Sequence, residues 1–314
     1  MNRPVTSLSV VALVAGLLWS APAVESQGAA PYRLVADWGQ LPGGENWGQV
    51  PGMAIDKNGR IYAFRRSEPP IVELDSDGHV VKKWGEKLFV WPHGIRIDGN
   101  GALWVTDGRA RDGRGQQIFK YSTDGKLQMT IGTAGVTGDG PDTFNGPCDV
   151  AVAAKGDIFI ADGHVNARVV KYSRDGRFIK AWGKKGSAPG EFNVPHAIVI
   201  DARGRVLVGD RSNKRIQIFD QDGTFLDQWT HLGSPSGMHI DATDTLYVVD
   251  YNDKKGVMIA SAKDGTLRYK LDEAVAEGVA VAADGSIYVG ETVPETTLAG
   301  LPGGSRVRKF VRLN

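Results

Sequence analysis

Apolar and polar residues alternate along most of the chain in short runs that recur in a fixed order. One run opens with a proline or a small residue and closes on an alternating aliphatic stretch. Each copy is followed by a turn, a second β-branched or aromatic run, a polar loop, a third run and an Asp-Gly type of turn. This period-two alternation, broken by glycine about every ten residues, predicts β-strands and argues against helices. The copies of the first run are VPGMAID (50–56), WPHGIRID (91–98), GPCDVAVA (146–153), VPHAIVID (194–201), SPSGMHID (234–241) and VAEGVAVA (275–282).

The spacing of these copies predicts the architecture. Four strands per unit, with a period of roughly 40–55 residues, are typical of propeller blades. We therefore predict an all-β, six-bladed propeller with four-stranded blades. The sixth unit ends with only three strands, SRVRKFVRL being the third, whereas YRLVADWG (32–39) has the character of a fourth strand. We expect this N-terminal strand to complete the last blade and close the ring, which leaves no open sheet edge.

The first residues have the pattern of a targeting segment. Arg3 precedes an apolar run from Leu8 to Leu18, and Ala21-Pro22-Ala23 has the small residues of a cleavage site. These features predict a signal peptide at 1–23, a short linker at 24–31 and a single propeller domain at 32–314. We therefore expect a protein exported to the periplasm or secreted, with no membrane insertion, because no other run has the length of a membrane helix.

Charge and cysteine content narrow the possible partners. A formal net charge of +1 gives no field suited to nucleic acid. Cys148 is the only cysteine, so an internal disulfide framework is excluded. We expect a monomer that acts on a small-molecule or peptide substrate and binds no nucleic acid.

Propeller geometry predicts which residues meet at the mouth of the central channel. The residue before the core of each first strand, and the residue just after each second strand, should converge on one rim. The first set is Gly52, His93, Cys148, His196, Ser236 and Glu277, and the second set is Arg66, Gly108, His164, Arg211, Asn252 and Thr292.

Three residues of the first set suit a metal ion. His93, His196 and Glu277 come from alternate blades and should form a triangle around the channel axis. Two imidazoles and a carboxylate with an open fourth position suit catalytic zinc. Water on such an ion loses a proton near neutral pH. The alternative is that the two histidines are satisfied by backbone groups and that Glu277 is a solvated carboxylate.

The units resemble NHL repeats, most closely in NARVVKYSRDGRFIKAWG (166–183), and the resemblance covers essentially all of residues 32–314. The rim resembles that of peptidyl-α-hydroxyglycine α-amidating lyases, six-bladed propellers whose zinc is held by three histidines. His93 in PHGI and His196 in VPHAI match two of these, whereas Glu277 in AEGV stands at the third. The family's structural calcium uses an Asp directly after the third ligand, and Gly278 occupies that place, so calcium is not expected.

The resemblance also implies substrate contacts. Arg66 in FRRS and Arg211 in GDRSNKRIQ match two arginines that lie on the substrate side of the site. His164 in DGHVNAR stands at the position of the family's catalytic tyrosine, where an imidazole suits a general base. The expected reaction splits a peptidyl-α-hydroxyglycine into a peptide amide and glyoxylate. Because the sequence contains no copper monooxygenase domain to make that substrate, another carboxylate-bearing α-hydroxy compound is the alternative.

Other interpretations stay open at this point. A non-catalytic binding platform could dock ligands through the long loop that contains Arg109, Arg111 and Arg114. A lactonase- or esterase-like propeller built around calcium is a third possibility, although the rim lacks its acidic and amide ligands. Arg66 and Arg211 could instead pair with acidic neighbours such as Asp210. The remaining candidates are expected to be structural: Cys148 as a small buried residue, the recurring Asp107, Asp162, Asp210 and Asp250 as turn residues, and His79, His231 and His239 without a role.

Overall fold

A computed structural model describes residues 30–251, 256–272, 274, 276–292 and 306–313. They form six antiparallel four-stranded sheets arranged as the blades of a propeller, which confirms the predicted fold. The predicted signal peptide and most of the linker, residues 1–29, lie outside the described residues. In blade order the strands are β2 (Gly52–Ile55), β3 (Ile61–Phe64), β4 (Ile71–Leu74) and β5 (Val80–Trp84); β6 (Pro92–Ile97), β7 (Leu103–Asp107), β8 (Gln117–Tyr121) and β9 (Leu127–Ile131); β10 (Pro147–Val152), β11 (Ile158–Asp162), β12 (Arg168–Tyr172) and β13 (Phe178–Trp182); β14 (Pro195–Ile200), β15 (Val206–Asp210), β16 (Arg215–Phe219) and β17 (Phe225–Trp229); β18 (Pro235–Ile240), β19 (Thr245–Asp250), β20 (Gly256–Ser261) and β21 (Leu267–Leu271); and β22 (Gly278–Val281), β23 (Ile287–Gly290), β24 (Val307–Arg312) and β1 (Tyr32–Val35).

Helical structure in the described residues is limited to two short 3₁₀ turns, Pro42–Gly44 and Arg211–Asn213. None of the helical turns in this part of the chain has the length and apolar character that a bilayer crossing requires.

The turn between the first and second strands of a blade is built around an aspartate. In blade two, Oδ1 of Asp98 accepts the backbone N–H groups of Asn100 and Ala102, each at 2.9 Å. Gly101 completes this turn with a φ of +84°, a conformation that side chains with a Cβ rarely adopt. The same aspartate contacts recur at Asp56, Asp201 and Asp241. The same aspartate hydrogen bonds therefore form the turn after the first strand in blade after blade, which explains the regular alternation of strand and turn in the sequence.

Tryptophan and glycine join neighbouring blades. Trp182 ends the fourth strand of blade three and lies so close to Gly223 of blade four that a Cβ there would be 2.7 Å from the indole ring. The tryptophan of each recurring Trp-Gly pair thus packs on the glycine of the Asp-Gly turn in the next blade, so the two recurring sequence pairs form one contact between blades. The other pairs of this kind are Trp38 with Gly78, Trp84 with Gly125 and Trp229 with Gly265.

The two ends of the chain meet in blade six, as predicted. Strand β1 pairs antiparallel with β24, Tyr32 facing Arg312 and Val35 facing Lys309. The strand ends at Val35, earlier than the YRLVADWG pattern indicated, and Asp37 turns the chain with a φ of +55°. Trp38 then repeats the interblade contact, since its indole N–H donates to the Ser76 carbonyl in blade one at 3.0 Å.

Candidate functional site

A one-residue bulge places a side chain from each of four blades at the channel mouth. In blade four, Pro195 pairs with Asp210 and Ala197 pairs with Gly209, so His196 is left out of the ladder between them. A bulge frees the extra residue from strand pairing and re-aims its side chain. The same register shift occurs in three other blades, and the residues at the shifts include His93, Cys148 and Ser236.

Buried aspartates at the ends of the second strands hold the segments that lead into these bulges. Asp107 accepts the N–H groups of Val90 at 2.9 Å and of Trp91 at 2.6 Å. Asp210 accepts the N–H of Asn193 at 2.6 Å. The sequence pattern predicts that these recurring aspartates are turn residues. In the structure they anchor the rim segment that precedes the first strand. Asp162 and Asp250 make the equivalent contacts with Asn145 and Ser234.

Backbone carbonyls fix the orientation of the two bulge histidines. Nδ1 of His93 lies 2.8 Å from the Cys148 carbonyl oxygen, and Nδ1 of His196 lies 2.6 Å from that of Ser236. A carbonyl oxygen only accepts, so each Nδ1 carries the proton. In a neutral imidazole Nε2 then presents a lone pair. Backbone contacts thus satisfy one nitrogen of each ring, and the other nitrogen faces the channel.

Glu277 completes this group from blade six. Its Oε1 lies 3.4 Å from Nε2 of His93 and 3.7 Å from Nε2 of His196. Its Oε2 accepts a hydrogen bond from the hydroxyl of Thr292. Burial alone would raise the pKa of Glu277, but its hydrogen bond and charge interaction with His93, together with the charge of Arg66 and the Thr292 hydroxyl, lower that pKa to about 2. A buried carboxylate, 6% exposed, is therefore ionised beside two imidazoles.

His164 reaches the same point from the loop after strand β11. Its Nε2 lies 2.9 Å from Nε2 of His93. The three imidazole rings pack edge to face, with the centroid of His196 lying 4.7 Å from that of His93 and 5.0 Å from that of His164. Burial, reinforced by the positive charges of its neighbours, lowers the pKa of His164 to about 2. The structure thus brings the predicted base into the centre of the predicted metal site.

The residues present fit a metal ion. Nε2 of His196 is buried, the residue being 1% exposed, and it has no hydrogen-bond partner within the described residues. A cavity of about 20 Å³, enough for one water-sized particle, is lined by His93, His196 and Glu277 among others. Imidazole nitrogens and an ionised carboxylate that converge on one buried point are the donor set of a transition metal.

The two predicted arginines lie on the same rim. Arg66 donates from Nε to the Pro92 carbonyl at 3.2 Å and from an Nη to Gln49 at 2.7 Å, while its guanidinium lies 4.0 Å from the Trp91 ring centre. The guanidinium of Arg211 lies 5.5 Å from the ring of Tyr251. Neither makes an ion pair in the part of the chain that the structure describes, and Asp210 pairs with Arg215 instead at 2.8 Å.

One residue of the rim, Trp91, was not foreseen from the sequence, whereas Cys148 is buried as expected. The ring centre of Trp91 lies 4.9 Å from that of His164, 4.0 Å from the guanidinium of Arg66 and 4.2 Å from that of Arg109. Its position directly before PHGI was the signal that could have identified it. Cys148 is fully buried and its thiol lies 3.3 Å from the Gly146 carbonyl. Burial raises the pKa of this thiol.

The remaining candidates lie away from the cluster or beyond the described chain. His239 borders a second cavity of about 180 Å³ together with Asp98 and Trp104. His79 is exposed in an outer turn beside Asp75. Asn252, assigned to the rim from the sequence, lies outside the described residues.

Comparison with known proteins agrees with the fold. The NHL repeat family matches residues 192–219. NHL repeat-containing protein 3 of Homo sapiens is 35% identical over 218 residues, 66% of this chain and 62% of that protein. The chain therefore spans about three fifths of that relative's length. The probable peptidyl-alpha-hydroxyglycine alpha-amidating lyase of Caenorhabditis elegans is 31% identical over 294 residues, 80% of this chain and 82% of that protein. Among solved structures, a gluconolactonase of Xanthomonas campestris superimposes with a TM-score of 0.64 at 15% identity, over 94% of this chain and 98% of its own, which shows the fold alone.

Proposed function

The chain belongs to the peptidyl-alpha-hydroxyglycine alpha-amidating lyase family, and we propose that it is an exported, metal-dependent lyase of that kind. Its substrate is a carboxylate-bearing α-hydroxy compound, with peptidyl-α-hydroxyglycines as the first class to test. The observation that carries this proposal is the convergence of His93, His196 and Glu277 on one point of a rim that also holds Arg66 and Arg211.

The chain's own groups would hold the ion and the substrate at adjacent places. His93, His196 and Glu277 would hold a divalent ion, most suitably zinc. When bound, the ion would act as a Lewis acid toward the substrate hydroxyl. The Nδ1 hydrogen bonds of the two histidines keep their Nε2 lone pairs directed at this place.

The arginines would recognise the substrate carboxylate. Neither half-buried guanidinium forms an ion pair within the described residues, so each favours an anion, and a carboxylate matches their paired N–H donors. Gln49 and the Pro92 carbonyl hold Arg66, and contact with Trp91 limits where its guanidinium can move. The carboxylate is thereby placed on the rim beside the metal site.

The reaction itself requires one proton to move. The hydroxyl O–H bond breaks, a C=O bond forms, the bond between that carbon and the amide nitrogen breaks, and the nitrogen gains a proton. The products are a peptide amide and glyoxylate. The sequence predicts His164 as the group that accepts the hydroxyl proton. For that, Nε2 of His164 has to be uncoordinated at that moment.

Turnover of a simple substrate, together with elemental analysis, tests the proposal. Zinc-loaded protein is expected to release glyoxylate from N-benzoyl-α-hydroxyglycine, with about one zinc per chain. Arg66→Gln and Arg211→Gln should each lower kcat/KM by roughly 30- to 100-fold, since each removes a charge-assisted carboxylate contact. Arg177→Gln is the matched control, because this arginine is 85% exposed in an outer turn. Zinc-loaded wild-type protein that releases no glyoxylate would exclude peptidyl-α-hydroxyglycines as substrates, and wild-type protein that also binds no zinc would overturn the proposal and leave the binding platform as the better interpretation.

A further inference from the structure

The position of His164 is set by its backbone as well as by its ring. Its N–H donates to the Gly146 carbonyl at 3.0 Å, and a Cβ at Gly146 would lie only 2.5 Å from the Cβ of His164. The imidazole packs edge-on against Trp91, with ring centres 4.9 Å apart. These contacts hold the ring against the other two histidines, away from the open face of the rim.

The short distance between His164 and His93 requires a proton or a cation between the two nitrogens. Nε2 of His93 presents a lone pair in the neutral ring because its Nδ1 donates to the Cys148 carbonyl. Nε2 of His164 lies 2.9 Å away. If His164 carries its proton on Nε2, it donates one hydrogen bond to His93. That hydrogen bond satisfies these two nitrogens and no other group of the cluster.

That single proton does not satisfy the other two groups. Nε2 of His196 is buried and without a hydrogen-bond partner in the described chain. Oε1 of Glu277 faces the nitrogens of both bulge histidines at 3.4 and 3.7 Å. An ionised carboxylate and several lone pairs directed at one buried point are unfavourable unless a cation lies there.

We propose that His164 is a third imidazole ligand of the metal ion, so that the ion is held by His93, His164, His196 and Glu277. This rests on the metal site of the proposed function and changes the role of one of its residues. A histidine from the loop of blade three then supplies the third imidazole, and Glu277 of blade six supplies a fourth ligand. One nitrogen cannot bind the ion and accept a proton at the same time, so His164 is excluded as the base while the ion is bound.

Cys148 is not part of this set. Its thiol is oriented toward the Gly146 carbonyl at 3.3 Å. Its main contribution is the backbone carbonyl that fixes His93 and that also accepts from the Thr106 hydroxyl at 2.9 Å. Cys148 therefore positions a ligand, and although its thiol lies within 4.8 Å of a nitrogen of each imidazole, we assign it no bond to the ion because it donates to the Gly146 carbonyl.

Metal affinity and spectroscopy test the assignment without relying on activity. Chelator-treated protein is titrated with Zn²⁺ in competition with an indicator, and with Co²⁺ followed by visible absorption. His164→Gln should weaken Zn²⁺ binding by about 100-fold, since it removes one of four protein ligands. X-ray absorption at the zinc edge should show three imidazoles in the wild-type protein and two in the variant. His239→Gln is the control and should match the wild type in both measurements.

Each failure has a separate meaning. Unchanged Zn²⁺ affinity and an unchanged Co²⁺ spectrum in His164→Gln, with loss of binding in His93→Gln, would overturn the ligand role of His164 and leave the metal-dependent lyase standing. A wild-type protein that binds neither ion would overturn both. Thermal melting of the chelator-treated variants verifies that each one is folded.

Discussion

His93 and His196 lie at the same place in two different blades, and each is oriented by the carbonyl of the bulge residue in the next blade. The carbonyls belong to Cys148 and Ser236. The rim residues of blades three and five, which look unsuited to a metal, thus orient the histidines of blades two and four. Outer hydrogen bonds of this kind hold a ligand's tautomer and direction and strengthen its binding.

Loss of a single bulge histidine should remove the ion with little effect on the fold. We expect His196→Ala to reduce bound zinc strongly, from about one per chain to a small fraction of that. Its side chain lies at the channel mouth, where it makes one hydrogen bond to the next blade and packs against His93 and His164, outside the hydrophobic clusters between the blades. Elemental analysis of purified protein measures the change, and circular dichroism verifies the fold.

His239→Ala is the matched control for this experiment. Both histidines come from a first strand, but His239 borders the separate cavity further along the channel. Equal zinc content in His196→Ala and wild-type protein would remove His196 from the set of ligands.

The candidate residues could be found from the sequence, but not all of their contacts could. The repeat places His93, His196 and Glu277 at equivalent positions, so their convergence follows from the fold. The contact between His164 and His93 joins residues 71 apart and depends on the path of a loop and on a rotamer. Neither is encoded in the repeat pattern, which is why His164 was predicted as a base beside the metal site and not within it.

At the scale of strands, β1 joins the two ends of the chain. Without it, β24 would expose an unpaired edge. The pairing of the two ends was predictable because the sixth unit has three strands and the N-terminal segment has the pattern of a fourth. The end of β1 at Val35 and the bulges in the first strands were not predictable, since both depend on backbone conformations that the alternation of apolar residues does not specify.

Removal of the closing strand should destabilise the propeller. Deletion of residues 32–38 from the protein should lower the free energy of unfolding by several kcal/mol, because it exposes the edge of β24 and removes Trp38 from blade one. Chemical denaturation measures the loss. Substitution of Trp38 by Leu keeps the strand but removes the indole hydrogen bond and should cost less. If the deleted protein unfolds at the same denaturant concentration as the full chain, closure by β1 does not stabilise the ring.

At the scale of the whole molecule, the channel has a chemically different environment at each of two places. The proposed metal site lies at the mouth, and further along the channel a second cavity is lined by Arg96 and His239 together with aliphatic side chains. Arg96 forms a two-pronged ion pair with Asp149 of blade three, at 2.9 and 2.5 Å, and Asp149 also accepts the N–H of Ile198 in blade four at 3.0 Å. This network joins three blades and leaves a positive charge near His239.

His239 should make the whole propeller less stable in acid. Burial, with a contribution from the charge of Arg96, lowers the pKa of His239 from 6.5 to about 4, while the charge of Asp241 opposes this effect. Between these values the unfolded chain binds a proton that the native protein does not, so the native state loses stability as the pH falls. The difference corresponds to an upper bound of roughly 3 kcal/mol at pH 4.

Chemical denaturation of chelator-treated, metal-free protein at pH 7.5 and 4.5 measures how much of the loss of stability in acid is due to His239. With the metal removed from every sample, wild type and His239→Asn differ only at the second cavity. The stability of His239→Asn should fall by about 2 kcal/mol less than that of the wild type between the two pH values, because asparagine takes up no proton. His79→Gln is the control, since its imidazole is 80% exposed in an outer turn. If wild type and His239→Asn lose the same stability, the acid sensitivity of the propeller arises at other groups and His239 is protonated in the native protein as readily as in the unfolded chain.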